Sequence, residues 1–299
     1  MDNIILIDAY SQIFRCYYAV RTAMTNGRGE PTNALYGMAR MLLTLDKTQP
    51  SGFGAVCFDH GKCGWRCELL PEYKAQRSPM PEELRSQIAP IRDWLEAFGW
   101  TLLEEEGREA DDLIAAVTAV RAGRPVRIIT QDKDLAQLVV GDEVRLMVSA
   151  AGGRWEETSS AEVEEKFGVP PSLLGDYLAL VGDHIDNIAG IAGIGPKTAA
   201  KLLLEHGSLD GLLAAVDSLK AGRVRDNLKS GGELLRRNRR LVGLDETLPS
   251  GWTGLEGIRR RRPDWRRLRT MAEAQGFRSL LGALDQAAAT EHGEQLTLF

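Results

Sequence analysis

Cysteine is scarce, with four in 299 residues. Cys63 and Cys67 form a single Cys-x3-Cys pair, and no histidine follows at ligand spacing, which argues against a zinc centre. With Cys16 and Cys57 they read as free thiols of a reducing compartment. Long apolar runs are missing too. None approaches the roughly 18 residues of a membrane-spanning helix, so a membrane partner is not expected. Met1-Asp2-Asn3 leads straight into an apolar segment, without the basic and apolar regions of a signal peptide. These absences point to a cytoplasmic protein.

What is present fits a soluble globular chain, 43% hydrophobic and 26% charged. The length suits one large domain or two ordinary ones. The net charge of −5 conceals a split. Residues 220–270 hold fifteen Lys and Arg against six Asp and Glu, a surplus of nine, so the remainder carries −14. An acidic half joined to a basic half suggests a metal site beside a polyanion track.

Three short apolar segments each end in an aspartate. Ile4–Ile7 runs into Asp8, Phe53–Phe58 into Asp59, and Val126–Gln131 into Asp132. Residues 1–150 alternate such strands with helical patterns over Tyr10–Val20, Ala34–Leu45, a stretch from Pro81, and Glu109–Val120; Trp100–Glu104 and Val144–Val148 are further strands. This alternation predicts a mostly parallel sheet covered by helices. In such sheets ligands bind beyond the carboxyl ends of the strands, so the three aspartates converge. From about Ser159 the strands stop and helices are expected over Ala161–Phe167, Ser172–Val181, Lys197–His206, Leu209–Val216, Gly232–Leu241 and Pro263–Gln275. Residues 287–299 read as a flexible tail.

Two more acidic motifs join the set: Glu109-Ala110-Asp111-Asp112 and Gly182-Asp183-x2-Asp186. Glu109 and Asp112, three apart on a helix, share a face, and Asp111 points elsewhere but can reach a neighbouring ion or its water. Asp132 and Asp134, two apart at a strand end, can point the same way. Two carboxylates about 4 Å apart repel by roughly 4 kcal/mol at an effective dielectric near 20. The cluster therefore needs protons or cations. Oxygen-only ligands suit Mg²⁺ or Mn²⁺ rather than zinc, and a pair of such ions activates water for phosphodiester hydrolysis.

Gly190-Ile191-Ala192-Gly193-Ile194-Gly195-Pro196-Lys197-Thr198 falls short of a P-loop, because Pro196 displaces Lys197 from the required place. It reads instead as a helix-hairpin-helix turn. Gly193 and Gly195 let the backbone approach a phosphate, Pro196 opens a helix, and Lys197 and Thr198 lie at that helix's amino end. Such a device grips nucleic-acid backbone without reading bases. Two basic runs, Arg236–Arg240 and Arg259–Arg262, are candidate walls of a DNA track or else solvated faces.

The five acidic motifs, with Gly193–Ala199, resemble those of the bacterial 5′-3′ exonuclease/flap endonuclease family, whose members also form the N-terminal domain of DNA polymerase I. The resemblance covers roughly residues 1–250. It implies a PIN-like α/β nuclease core over residues 1–158, with a helical arch at about 60–92. A helical DNA-binding module over 159–286 follows, with its hairpin at about 186–206. It implies two Mg²⁺ sites that Mn²⁺ can also fill. One draws on Asp8, Asp59, Glu109, Asp111 and Asp112, the other on Asp134, Asp183 and Asp186, with Asp132 between. The arch motif maps onto Pro71–Arg77, giving Tyr73 to DNA and Lys74 and Arg77 to phosphates of the 5′ strand; Arg15 matches another basic position near the scissile phosphate. K⁺ at the hairpin turn is also implied.

The last residues, Gln295-Leu296-Thr297-Leu298-Phe299, resemble the pentapeptide by which bacterial proteins bind the DNA sliding clamp. The expected function is a metal-dependent, structure-selective 5′ nuclease, nucleoid-associated, acting on 5′ flaps, nicks and ends of DNA, and on RNA primers in hybrids. A PIN-type ribonuclease and a non-catalytic binder of DNA junctions stand as alternatives.

Overall fold

A computed structural model describes residues 3–20, 24–61 and 64–297. The central sheet has six strands in the order β3-β2-β1-β4-β5-β6. These are β1 (Ile4–Asp8), β2 (Phe53–Cys57), β3 (Thr101–Leu103), β4 (Val126–Ile129), β5 (Val144–Ser149) and β6 (Trp155–Thr158). All neighbours are parallel except β6, which returns antiparallel on β5. The strand order reverses between β1 and β4, the switch point at which open parallel sheets bind ligands. Asp8 pairs with Cys57 and Ile7 with Ile129 in register, so Asp8, Asp59 and Asp132 emerge at one edge.

Alternation along β1 supplies both faces with core. Ile4 and Leu6 join one buried cluster, Ile5 and Ile7 the other. The second face is covered by α1 (Ala9–Ala19), α2 (Asn33–Thr48) and, after the short α3 (Gly64–Leu69), by α4 (Glu82–Ala97). The first face receives α5 (Ala110–Ala119), then α6 (Ser160–Phe167) and α7 (Leu174–Val181). Gly54 in β2 is required by close packing: a Cβ there would lie 2.6 Å from the Trp100 ring and 2.9 Å from the Ile5 carbonyl.

Beyond residue 159 the strands do not stop altogether. A two-residue ladder, β7 (Gly182–Asp183) with β8 (Ile188–Ala189), closes the loop that carries Asp183 and Asp186. Gly182 has φ +81°, and a Cβ on it would meet the Gly190 nitrogen at 2.4 Å. Asn238, fully buried, donates to the carbonyls of Ala179 and Ala189 and ties the ladder to α7. The hairpin turn then opens α8 (Pro196–His206), followed by α9 (Leu209–Ala214), α10 (Arg223–Ser230) and α11 (Gly232–Val242). Ile191 and Ile194 anchor the turn from below, leaving Gly193, Gly195, Pro196 and Lys197 exposed. Asn227 of α10 supports it by donating to the Ala192 carbonyl.

The chain then crosses back. α12 (Trp265–Ala274) and α13 (Arg278–Thr297) pack on α2 and α4, burying Leu268, Phe277, Leu280 and Leu284 in the second face's core. Burial of each such side chain contributes roughly 1.5–3 kcal/mol. The expected tail from residue 287 is helical backbone through Thr297, consistent with its Ala, Gln and Glu content. Leu298 and Phe299, the apolar end of the proposed clamp peptide, and Cys63 lie outside the described residues. No helix among the described residues is long and apolar enough to cross a membrane.

The run Arg259–Arg262 is corrected by its position. Phe53, at the start of β2, forms a bridge with Arg259, so the run sits at the end of the sheet opposite the aspartates. Arg260 lies 3.7 Å from the centre of the Trp100 ring and pairs with both carboxylate oxygens of Asp46. Arg261 donates to the Trp100 carbonyl. These two arginines are structural, holding the crossing segment to the sheet. Removing one partner of such a largely buried pair costs about 3–5 kcal/mol. Arg260→Ala is therefore expected to lower unfolding free energy by roughly 3 kcal/mol in urea titration, with no loss of affinity for DNA in the fraction that remains folded.

Candidate metal centre

The carboxyl edge of the sheet opens into a depression of about 920 Å³ lined by Asp8, Asp59, Asp111 and Asp132, with Lys74, Arg77 and Arg15 facing them. Asp8 ends β1 and caps α1, accepting from the Ser11 backbone at 3.1 Å. The Thr130 hydroxyl donates to Asp8 at 2.7 Å and accepts from the Asp132 backbone at 2.9 Å, fixing the ends of β1 and β4 to each other. Asp59 accepts from the Ala110 backbone at 2.7 Å, which places its carboxylate at the start of α5. Asp111, one residue further, faces the same depression.

Electrostatics single out this group. Burial, reinforced by Asp59 and Asp132 against the bonds from Thr130 and Ser11, pushes Asp8 up to about 7. Burial raises Asp59, with Glu109 adding to it. Burial and the charges of Asp132 and Asp8 hold Asp111 well above the usual carboxylate range. None of these carboxylates is ion-paired with a side-chain cation among the described residues. Uncompensated, oxygen-only and partly desolvated, they fit a hard divalent cation.

The remaining acids are already neutralised. Asp134 opens a 3₁₀ turn over Asp134–Leu138 and is pushed up to about 6, by burial first and then by Asp132. Lys133 bridges Asp134, at 3.2 Å, and Asp183. Glu109 receives the Lys74 ammonium at 2.6 Å on Oε1, and Arg66 and the Tyr73 hydroxyl at 3.1 Å each on Oε2. Asp186 receives Arg77 at 2.6 Å and shares the Tyr73 hydroxyl at 3.1 Å. Among the described residues no three acidic, cysteine or histidine side chains close on one point.

Two expectations are corrected here. Asp112 does not face the depression. It is fully buried, and both its oxygens are bonded to Arg66 at 2.8 Å, with the Asp245 backbone adding 3.0 Å. Glu109 and Asp112 do share a helix face, but it is the face turned to Arg66; Asp111 is the residue that reaches the other acids. Tyr73 is likewise buried, its ring in the core and its hydroxyl between Glu109 and Asp186, so it is turned away from any DNA surface. Lys74 and Arg77 lie on the acids rather than free above them.

Sequence reasoning missed Arg66, 2% exposed, which also donates to the Leu241 and Gly243 carbonyls and so joins α3, α5 and the end of α11. A lone arginine among apolar and polar neighbours carries no signal of that role. Thr130 was equally silent. The aromatic ledge on α1 did carry a signal: Tyr10, Phe14 and Tyr18 recur every fourth residue and line the mouth of the depression. The Phe14 and Tyr18 rings stack at 15°, Tyr18 is 64% exposed, and Tyr10 meets Phe58 edge-on. Arg15, on the same helix, donates to the Ser149 carbonyl. In the other basic run, Arg239 pairs with Asp176 and Asp210, and Arg236 with Glu233.

Known proteins resemble the chain along most of its length. Residues 3–168 match the family model of the 5′-3′ exonuclease N-terminal resolvase-like domain, and residues 169–266 that of the 5′-3′ exonuclease C-terminal SAM fold. DNA polymerase I of Pseudomonas aeruginosa is 42% identical over 219 residues, 72% of this chain and 23% of that protein. The thermostable DNA polymerase I of Thermus thermophilus is 37% identical over 294 residues, 97% of this chain and 34% of that protein. The chain thus spans about a third or less of these relatives' length. Among solved structures, T5 5′-exonuclease with divalent zinc ions bound has a TM-score of 0.67 at 25% identity, covering 81% of this chain and 90% of that one. A bacteriophage T5 flap endonuclease in a pseudo-enzyme-product complex with DNA and metal ions also gives 0.67 at 25% identity, covering 81% and 89%.

Opposite environments for Asp111 and Asp112 give opposite outcomes. Without divalent ions, Asp111→Asn removes a repelled charge and is expected to raise the thermal midpoint by roughly 2–4 °C, the shift that about 1 kcal/mol produces. Asp112→Asn leaves Arg66 under-paired and lowers the midpoint by more than that. Differential scanning calorimetry in EDTA separates the two; equal destabilisation would contradict the assignment.

Proposed function

The chain belongs to the 5′-3′ exonuclease family, and on that premise we propose that it is a divalent-metal-dependent, structure-selective 5′ nuclease of DNA. The observation that carries this reading is the depression in which four unpaired acids face Lys74, Arg77, Arg15 and an exposed aromatic ledge. Asp8, Asp59, Asp111 and Asp132 are the residues to hold a divalent ion, Mg²⁺ or Mn²⁺ by donor chemistry. Glu109, Asp134, Asp183 and Asp186 are candidates for a second. Bound there, such ions supply an activated water and charge stabilisation for phosphodiester hydrolysis.

The protein's own groups do the rest. Lys74, Arg77 and Arg15 bind and neutralise the phosphates flanking the cut, leaving a 5′-phosphate and a 3′-hydroxyl. Phe14 and Tyr18 offer stacking faces to an unpaired base, an interaction worth about 1–3 kcal/mol and available to any base. That favours action near a 5′ end or a junction, where bases unstack. Gly193, Gly195, Lys197 and Thr198 hold duplex backbone away from the reacting end, with K⁺ as a further occupant of that turn. RNA primers in hybrids are within the same substrate class, because backbone contacts of this kind carry no base sequence. The carboxyl-terminal Gln295–Phe299 is proposed to tether the enzyme to the bacterial sliding clamp during replication or repair.

Labelled 5′-flap, nicked, single-stranded and RNA/DNA substrates, compared with Mg²⁺ and with EDTA, test the activity. Cleavage of flaps with Mg²⁺ alone is expected, and Asp8→Asn is expected to lower turnover by at least about 100-fold while flap affinity stays within a few-fold. Cleavage of RNA only would replace this reading with a ribonuclease; binding without cleavage would replace it with a junction-binding protein. Deletion of residues 295–299 is expected to abolish pull-down by the clamp and leave cleavage of free oligonucleotides intact.

A further inference from the structure

We propose that Lys74 and Arg77 are exchangeable counter-cations, stored on Glu109 and Asp186 when no divalent ion is bound and released to substrate phosphate when an ion takes those carboxylates. The proposal rests on the divalent-ion reading of the site and adds to it a coupling between ion loading and phosphate binding.

The turn that carries both side chains is pinned independently of them. The Lys74 backbone donates to the Asp186 carbonyl at 3.2 Å, Asn187 donates to the Glu72 carbonyl at 2.9 Å, and Gln76 donates to the His184 carbonyl at 2.6 Å. Tyr73 is buried beneath. Lys74 itself sits at φ +55°, in the left-handed region, a conformation that costs a non-glycine residue on the order of 1–3 kcal/mol. That backbone places its side chain between the buried acids and the open depression. Both long side chains line the depression as well as touching the acids. Moving from one position to the other needs only side-chain torsions.

The charges explain why the exchange is with a cation. The Tyr73 hydroxyl has one proton for two carboxylate oxygens, each 3.1 Å away, so it leaves part of the Glu109 and Asp186 charge to others. Burial opposes the Lys74 ammonium, yet Glu109 and Asp186 hold it charged. Lys74 and Arg77 withdrawing together with nothing in their place would leave buried Asp186 with the Tyr73 hydroxyl alone and buried Glu109 with Arg66 and that same hydroxyl, at a cost of several kcal/mol. A divalent ion arriving as Lys74 leaves keeps them neutralised throughout. By linkage, whatever factor ion binding adds to phosphate affinity, phosphate adds to ion affinity.

Acetylation of lysines by an amine-reactive ester, read by mass spectrometry on the DNA-free full chain, tests the exchange. The Lys74 side chain is 21% exposed in the stored position. Saturating Mg²⁺ is expected to speed its labelling by roughly fivefold or more, within the range of ordinary coupling between sites. Lys197, exposed on the hairpin turn, is the internal reference and is expected to stay constant. In parallel, Lys74→Met is expected to tighten the weaker Mn²⁺ binding event in calorimetry by about tenfold, equivalent to about 1.4 kcal/mol. Unchanged Lys74 labelling in protein that calorimetry shows to be ion-loaded overturns the exchange and leaves the nuclease reading standing. Absence of any ion binding overturns that reading, and the proposal with it.

Discussion

Two ionised carboxylates about 4 Å apart repel by roughly 4 kcal/mol at an effective dielectric near 20, and the depression at the carboxyl edge of this sheet is lined by four of them, with Glu109, Asp134, Asp183 and Asp186 near by. Positive charge has to stand among them. The fold supplies it on one side only. Lys133 serves Asp134 and Asp183, and Lys74, Arg77 and Arg66 serve Glu109 and Asp186. On the other side Asp8, Asp59, Asp111 and Asp132 form no ion pair among the described residues, and burial outweighs the more distant Lys74 and Arg77, so that Asp8, Asp59 and Asp111 are all raised. A site kept short of cations by the protein fits the divalent ion proposed for it.

The scaffold enforces this arrangement from both faces. β1 lies at the switch point with its neighbours in register, so Asp8 cannot retreat from Asp59 or Asp132 without breaking the sheet. Arg66 locks α5 from beneath by its two bonds to Asp112, which fixes the helix phase that turns Asp111 outward. The helical half, through the β7–β8 ladder and Asn238, brings the last two acids in from more than a hundred residues downstream. The α12–α13 hairpin then closes the opposite face, held by Arg260 against Trp100.

Much of this was legible in the chain. Apolar runs ending in aspartate announce strand ends, and strand–helix alternation makes those ends coincide. The hairpin turn was readable from Gly193, Gly195 and Pro196, whose backbone demands are local. What could not be read was which side of a helix faces which neighbour. The spacing of Glu109 and Asp112 rightly placed them on one face, but only tertiary packing reveals that Arg66 occupies it. Arg259–Arg262 failed for a related reason: a basic run pairs as well with Asp46 and an indole as with phosphate, and sequence does not say at which end of the sheet it lies. β6 escaped because it is a short edge strand in which Glu156 is exposed and Glu157 pairs with Arg127 and Arg145 across the sheet, so no apolar alternation marks it. The helical continuation after Arg278 escaped because small and polar residues suit a helix and a tail equally.

The central proposal is that Asp8, Asp59, Asp111 and Asp132, and not Asp112, hold a divalent ion. Diffraction from crystals grown with Mn²⁺, collected at the manganese absorption edge, tests it most directly. The account predicts an anomalous peak in contact with Asp8, Asp59, Asp111 or Asp132, with the Arg66–Asp112 pair intact beneath it. A peak on Asp112 with Arg66 displaced, or an ion-free depression at saturating Mn²⁺, would contradict it.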